Sequence, residues 1–327
     1  MKVLLCVRGD YLRNIAADSK QVLKTSEYLK KFGIENEINC GNIEEFTDYD
    51  IIHLFNLRNI GEIYKYYKLA HKMKKIIVIS PLYWNLTKYY EYKKDYDNIK
   101  LWEKSNVYRD IILNGCRMIY PNSYMELDAL HKDFNKSFKA TVIYNGADVQ
   151  NEETPLYNFK ERYELERYVL SLGRVSPRKN QLALSKACFQ LGLHLVLIGY
   201  VKDKQYLSEC LKYSNVRYLG FLDSYNIYNA CRFAALYAQT SFFETPGLSS
   251  LEAAAYGCKI LSSKEGSISE YLGDRAIYVN PFSYDDIVCN LDRAYRSCKD
   301  IELKEFVIKN YSWENSIKQL IQSYTKL

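Results

Sequence analysis

The sequence predicts an α/β protein with two domains, each a parallel sheet covered by helices on both faces. Three observations carry this. Short apolar runs bounded by Gly, Pro or Asn recur along the chain, the pattern of strands buried on both sides. Amphipathic stretches lie between them and close at glycine, as Gln21–Phe32 does at Gly33 and Gln181–Leu191 at Gly192. The 327-residue length exceeds what one core commonly fills, roughly 250–300 residues, and a polar stretch interrupts the alternation at mid-chain. Strand and helix in alternation imply parallel sheets with helices on both faces.

In order, the first strand is expected at Val3–Val7, in an N-terminus too short and too soon charged to read as a signal peptide. Ile51–Phe55, Ile76–Ser80, Met118–Tyr120 and Thr141–Tyr144 follow. The turn Asn145-Gly146-Ala147-Asp148 then closes a first domain placed at 1–150. The Glu-rich segment 151–167, which contains Pro155, reads as a linker. The second domain, 168–305, has strands at Tyr168–Leu172, Leu193–Gly199, Val216–Leu219, Ala234–Ala238, Lys259–Ser262 and Ala276–Val279. A last helical segment occupies 306–327.

Composition narrows the function classes. A net charge of +6 favours anionic ligands but is too small to indicate nucleic acid. Nine Cys without a C-x-x-C pair offer neither a zinc spacing nor, in a chain this long, a disulfide framework. Reduced thiols and a cytoplasmic location are expected. No apolar run approaches the roughly 20 residues that cross a bilayer, so membrane contact would be peripheral, at the inner face. One stretch suits such contact. Residues 84–109 interleave Tyr89, Tyr90, Tyr92, Tyr96, Trp102 and Tyr108 with Lys93, Lys94, Lys100 and Lys104. Interspersed acids keep its pull modest, and a solvated helix–loop is the plainer reading.

Two constellations could carry chemistry. The first is Gly173-Arg174-Val175-Ser176-Pro177-Arg178-Lys179-Asn180, between a strand and a helix. Ligands of open α/β sheets bind at the carboxyl ends of strands, and a helix start beside Arg174, Arg178 and Lys179 suits phosphate. The bland reading is a solvated basic turn. Neither G-x-x-x-x-G-K-[ST] nor a G-x-G-x-x-G after the first strand is present. The second is Ser241-Phe242-Phe243-Glu244-Thr245-Pro246-Gly247-Leu248-Ser249-Ser250-Leu251-Glu252, followed by an Ala-rich helix ending at Gly257. Ser249 and Glu252 fit a capping box, which would give Glu252 a purely structural role. Glu244, in an apolar run, is costly unless paired or wet. The amides of Gly247, Leu248 and Ser249 suit an anion.

Together these stretches resemble glycosyltransferase family 4, the group 1 type of retaining GT-B glycosyltransferase. That family carries G-R-x-x-x-x-K-N and, later, E-x7-E on a loop and helix; here these are Gly173-Arg174 through Lys179-Asn180, and Glu244 through Glu252. Asn145-Gly146-Ala147-Asp148 resembles its P-N-G-V-D turn, and Asn215 to Phe221 its V-x-F-L-G-x-V strand. Tyr311-Ser312-Trp313-Glu314 resembles the start of its last helix, which crosses back to the first domain. The resemblance spans nearly the whole chain and is strongest over 168–290.

The resemblance implies two Rossmann-like domains facing a cleft, with the acceptor in the first and a UDP- or GDP-linked sugar in the second. Gly173, Arg174 and Lys179 would hold the diphosphate. Glu252 would accept the ribose hydroxyls and Glu244 a hydroxyl of the sugar. Gly247, Leu248 and Ser249 would meet sugar and diphosphate, and Gly220 and Phe221 would lie near the base. Arg174, Lys179 and Glu244 would be catalytic. No cofactor and no metal are implied. The acceptor would be a glycan, a lipid-linked molecule or a protein, in cell-surface polysaccharide or glycoconjugate synthesis.

Some positions depart from the family. Thr240 replaces Pro, Thr245 replaces Gly, and Pro246 replaces an aromatic residue and removes an N–H. Asn14 to Ser19 stand, without glycine, where a Gly pair is common. Ser80-Pro81-Leu82-Tyr83-Trp84 lacks a His expected there, while His53 occupies another His position of the family and could equally be structural. Two other readings fit the fold: a nucleotide-sugar-binding protein without turnover, and a sugar-nucleotide epimerase. A glycosidase using Glu244 and Glu252 would leave the phosphate-binding features idle.

Overall fold

The structure, a computed structural model, describes residues 1–147 and 157–327. Asp148, Pro155 and the first part of the expected linker, 151–156, lie outside the described residues. The chain divides into two compact units, Met1–Gly146 with Tyr311–Leu327, and Ala147–Asn310.

The first unit is a five-stranded parallel sheet of β1 (Lys2–Cys6), β2 (Glu35–Asn39), β3 (Ile51–Phe55), β4 (Ile76–Ser80) and β5 (Met118–Ile119), in the order β2-β1-β3-β4-β5. The register sets Leu4 beside Ile52 and Ile52 beside Ile77. All three are buried, as the continuous apolar runs require. Two expectations need correction. β2, Glu-Asn-Glu-Ile-Asn, is an edge strand whose polar residues hid it. Thr141–Tyr144 forms no strand: Thr141 donates to the Ile119 carbonyl at 3.0 Å and Ile143 to that of Pro121 at 2.8 Å, but Pro121 has no N–H to return.

The final helix, Trp313–Tyr324, completes this unit's core through Ile317, Leu320 and Tyr324. Ser312 caps it, accepting from the Asn315 amide at 3.2 Å. A Cβ on Gly146 would collide with the Trp313 backbone nitrogen, so only glycine lets the two segments cross. His53, fully buried in β3, lies 2.5 Å from the Tyr324 hydroxyl and 2.9 Å from that of Ser80. Burial pushes its pKa down to about 3. His53 is thus a satisfied structural group.

The second unit is a six-stranded parallel sheet of β6 (Tyr168–Leu172), β7 (His194–Ile198), β8 (Val216–Tyr218), β9 (Leu236–Gln239), β10 (Ile260–Ser263) and β11 (Ile277–Val279), ordered β11-β10-β9-β6-β7-β8. Its core gathers Val169, Leu184, Leu195, Leu197, Leu236, Leu261, Ile287 and Leu291. Chain direction across the sheet reverses between β6 and β9, which pair. At such a switch point the loops leaving the two strands diverge to opposite faces and open a crevice at their carboxyl ends. Both sequence constellations leave the sheet here.

Candidate active site

The loop after β6 starts at Gly173, whose amide donates to the Ile198 carbonyl at 2.9 Å. Its φ of +123° and the close approach of Gly199 explain the glycine pair: a Cβ on Gly199 would collide with the Gly173 carbonyl. The basic segment lies between strand and helix, as the sequence suggests. Pro177–Lys179 form one 3₁₀ turn, Asn180 takes a left-handed conformation with φ of +57°, and the helix Gln181–Gln190 follows. Asn180 is held there by its side-chain amide, which donates to the Pro281 carbonyl at 3.1 Å.

The loop after β9 is stitched to this turn. Thr240 donates its hydroxyl to the Asn180 carbonyl at 3.1 Å, and the Phe242 amide donates to that of Arg178 at 3.0 Å. Arg178 Nη1 in turn donates to the Phe243 carbonyl at 2.8 Å. The result places Lys179 Nζ 2.5 Å from Glu244 Oε1. Arg178 Nη1 stands 3.6 Å from the same oxygen, and Gln239 Nε2 donates to it at 3.0 Å. Glu244 is only 8% exposed. Burial alone would raise its pKa, but Lys179 and Arg178 outweigh burial and hold it below the usual carboxylate range. Burial, with Arg178 and Arg174 nearby, pushes the Lys179 ammonium down to about 8 despite the carboxylate. The cation expected on a diphosphate and the carboxylate expected on a sugar therefore face each other as a buried ion pair.

The Glu244 backbone is fixed from the other side. Its amide donates to the Glu265 carbonyl at 3.0 Å, and a Cβ on Gly266 would collide with its carbonyl oxygen. The helix Leu248–Ala255 is capped by Gly247, with φ of +92°, and not by Ser249. The expected capping box is absent because the glycine bend starts the helix two residues early. Ser249 and Ser250 aim their hydroxyls at Gln239 Oε1 instead, at 3.4 and 2.6 Å. The first-turn amides of Leu248 and Ser249 have no intrahelical acceptor, an arrangement that suits an anion. Glu252 lies one turn into this helix, half-buried.

The structure brings Gly173, Lys179, Glu244 and Gly247 together: Cβ positions built on Gly173 and Gly247 would lie 3.8 Å from Lys179 Nζ and 3.7 Å from the Glu244 Cβ. Arg174 is half-buried beside them and gives its carbonyl to Gln181 Nε2 at 2.9 Å. Gly220 accepts from the Gly199 amide at 2.8 Å, so the end of β8 joins the same edge. There Phe221, half exposed, stacks on Tyr200 with ring centroids 4.3 Å apart. The sequence reading places Arg178 in the phosphate-binding cluster but not beside Glu244, and gives no role to Gln239 or Gly266. The last two act through contacts that no local pattern announces. Among the described residues no three His, Cys, Asp or Glu side chains converge as a metal site requires, and no Cys forms a disulfide.

Residues 155–324 match the family described as Glycosyl transferases group 1. The chain belongs to that family. Its relatives include O-antigen chain mannosyltransferase B of Escherichia coli, 28% identical over 187 residues, covering 51% of this chain and 48% of that protein. Lipopolysaccharide 1,2-N-acetylglucosaminetransferase of Salmonella typhimurium is 25% identical over 230 residues, covering 62% and 60%. The chain thus spans about half the length of the curated relatives it matches. Among solved structures, sucrose-phosphate synthase from Thermosynechococcus elongatus superposes with a TM-score of 0.81 at 15% identity, covering 100% of this chain and 98% of that one. Anabaena HepE, solved with UDP and glucose, gives 0.77 at 14% identity, covering 100% of both chains. This member of the group 1 family therefore has the GT-B fold, with two Rossmann-like parallel-sheet domains.

Proposed function

We propose that this chain is a retaining, metal-independent glycosyltransferase of the family 4 type, moving a sugar from a UDP- or GDP-linked donor to an acceptor hydroxyl. The observation that carries the proposal is the Lys179–Glu244 pair at the switch point of the second unit, beside the glycines that let a ligand approach the backbone. An anion and a polyhydroxylated group fit the two charges. Lys179 and Arg174 take the diphosphate, with the Leu248 and Ser249 amides beneath it. As the diphosphate draws the Lys179 ammonium, the Glu244 carboxylate is left to accept a sugar hydroxyl. Glu252 accepts the ribose hydroxyls, and Gly220 and Phe221 border the base. Departure of the nucleoside diphosphate builds charge on the β-phosphate, which these fixed donors stabilise more in the transition state than in the bound donor.

The reaction needs no protein nucleophile. The departing phosphate takes the acceptor proton, and the new bond forms on the face the diphosphate leaves. The relatives named for O-antigen and lipopolysaccharide synthesis support a glycan or lipid-linked acceptor in surface polysaccharide assembly. We assign the acceptor to the first unit, on the cytoplasmic side. No helix among the described residues is long and apolar enough to cross a membrane. The helices Thr87–Tyr92 and Tyr96–Gly115 expose Tyr92, Leu101, Val107 and Tyr108, the surface on which a lipid-linked acceptor would bring the protein to the bilayer.

The test is incubation with UDP- and GDP-sugars, with and without lipid-linked and free glycans, followed by NMR of the product's anomeric centre. Transfer with retained configuration is expected, and Glu244→Ala should cut turnover strongly while UDP or GDP affinity holds. An inverted anomer, or normal turnover in Glu244→Ala, overturns the mechanism. An epimer formed without acceptor identifies an epimerase, and donor binding without any product a binding protein.

A further inference from the structure

The structure assigns Gln239 as a positioning residue for Glu244, an inference that rests on the donor-site reading above. Gln239 is the last residue of β9 and is 2% exposed. An ionised carboxylate can only accept, so the amide nitrogen must face Glu244, and Nε2 donates to Oε1 at 3.0 Å. The amide oxygen then faces hydroxyls alone. Ser250 donates to it at 2.6 Å, Tyr237 at 3.3 Å and Ser249 at 3.4 Å. Ser250 also meets the Ser262 hydroxyl on β10 at 3.2 Å. Every polar atom of Gln239 is thus committed, and its amide cannot turn over without breaking several bonds.

This has a chemical consequence. Lys179, Arg178 and Gln239 all converge on Oε1, so Oε2, with the Ser241 hydroxyl beside the carboxylate, is the oxygen assigned to a ligand hydroxyl. The two cations belong to the anion-binding turn, and Lys179 is the group a diphosphate would draw away. Gln239 is neutral and would stay. It holds the carboxylate in place at the stage when the ion pair has opened. Through Ser250 it also ties Glu244 to the helix that carries Glu252, so both ends of a donor are referred to one buried amide.

The test uses two variants of the full chain. Gln239→Leu removes both bonding ends. Gln239→Glu is isosteric and keeps an oxygen for Ser250, but replaces the donor N–H with a second carboxylate beside Glu244. The groups facing that pair are Lys179 and Arg178 from the turn after β6, the Tyr237 hydroxyl on β9, the Ser241 hydroxyl after it, and Ser249 and Ser250 on the helix. Two carboxylates sharing one site hold a proton to higher pH than either alone. At low pH the protonated Glu can donate to Glu244 as the amide does; above the raised value the two anions repel.

The expectation is a kcat on donor sugar reduced on the order of 10–100-fold in Gln239→Leu at all pH. In Gln239→Glu, activity relative to wild type should fall as pH rises. UDP and GDP affinities, by calorimetry, should hold in both. Wild-type kcat and pH profile in both variants would overturn the assignment. If Gln239→Leu does not fold, the pH profile of the isostere decides. If the wild type itself transfers no sugar, the functional reading fails separately, and carbon-13 NMR of the Glu244 carboxyl decides: a midpoint raised in the Gln239 variant supports the positioning role, and an unchanged midpoint refutes it.

Discussion

Glu244 and Lys179, 65 residues apart in the sequence, meet as a buried ion pair at the end of a parallel sheet. The pair shapes the first expected outcome. Lys179→Met leaves a buried carboxylate without its ammonium, and breaking such a pair costs about 3–5 kcal/mol. Lys179→Met/Glu244→Gln should recover part of that loss, which chemical denaturation of both singles and the double would show. Calorimetry with UDP and GDP should find binding weaker by about 1.5–3 kcal/mol in Lys179→Met and in Arg174→Ala. Undiminished affinity in both would remove the diphosphate from this turn.

The capping-box role expected of Glu252 is absent, since Gly247 caps the helix. Glu252→Gln is therefore expected to weaken nucleotide binding while the melting temperature barely moves. A fall of several degrees with unchanged affinity would instead show that Glu252 serves the helix.

Gly266 faces the Glu244 carbonyl, with φ of +137°. Gly266→Ala must displace the Glu244 peptide and should lower both melting temperature and turnover. Gly192→Ala is the control. Its φ of +65° is also left-handed, but a Cβ there meets nothing within 4 Å, so only the local strain of about 1–2 kcal/mol applies and turnover should survive. Equal turnover in the two variants would mean that the Glu244 position is not critical.

His53 sets a pH dependence. Its pKa is about 3 in the folded chain, against roughly 6.5 unfolded. Below about pH 6.5 the unfolded chain binds a proton that the folded chain refuses, so stability falls as pH falls, by up to about 1.4 kcal/mol per pH unit, until the folded value is reached. Urea unfolding between pH 7 and 5 should show a shallower slope in His53→Gln than in wild type. A His53 resonance titrating near 6.5 in the folded protein would contradict the buried, hydroxyl-bonded geometry.

The fold was legible where burial left a continuous apolar signature. Ile51–Phe55, Ile76–Ser80 and Tyr168–Leu172 are strands at the expected bounds. β2 was not legible, because an edge strand needs no apolar face on each side and Glu35 and Glu37 point to solvent. The site was half legible. Gly173 to Asn180 and Glu244 to Glu252 carry local spacing that survives in one dimension. What the sequence could not show is which charges meet. Lys179 and Glu244 are joined by the pairing of β6 with β9, and Gln239 reads as the polar end of an apolar strand until its amide is seen between Glu244 and Ser250. The Ser249–Glu252 pattern misled because a capping box describes a helix start only when no glycine upstream bends the chain first.

The first unit is assembled from the two ends of the chain, Met1–Gly146 and Tyr311–Leu327. On a ribosome this imposes an order. The 164 residues of Ala147–Asn310 are contiguous and can collapse on emergence, whereas the first unit, though made earlier, waits for Ile317, Leu320 and Tyr324. During that interval the apolar face around Val22, Leu29 and Phe55 stays uncovered, an opening for chaperones or for premature association with another nascent chain. A stop codon or frameshift after Asn310 would leave the second unit whole and deprive the first of its final helix, so truncation late in the chain would damage the part translated first.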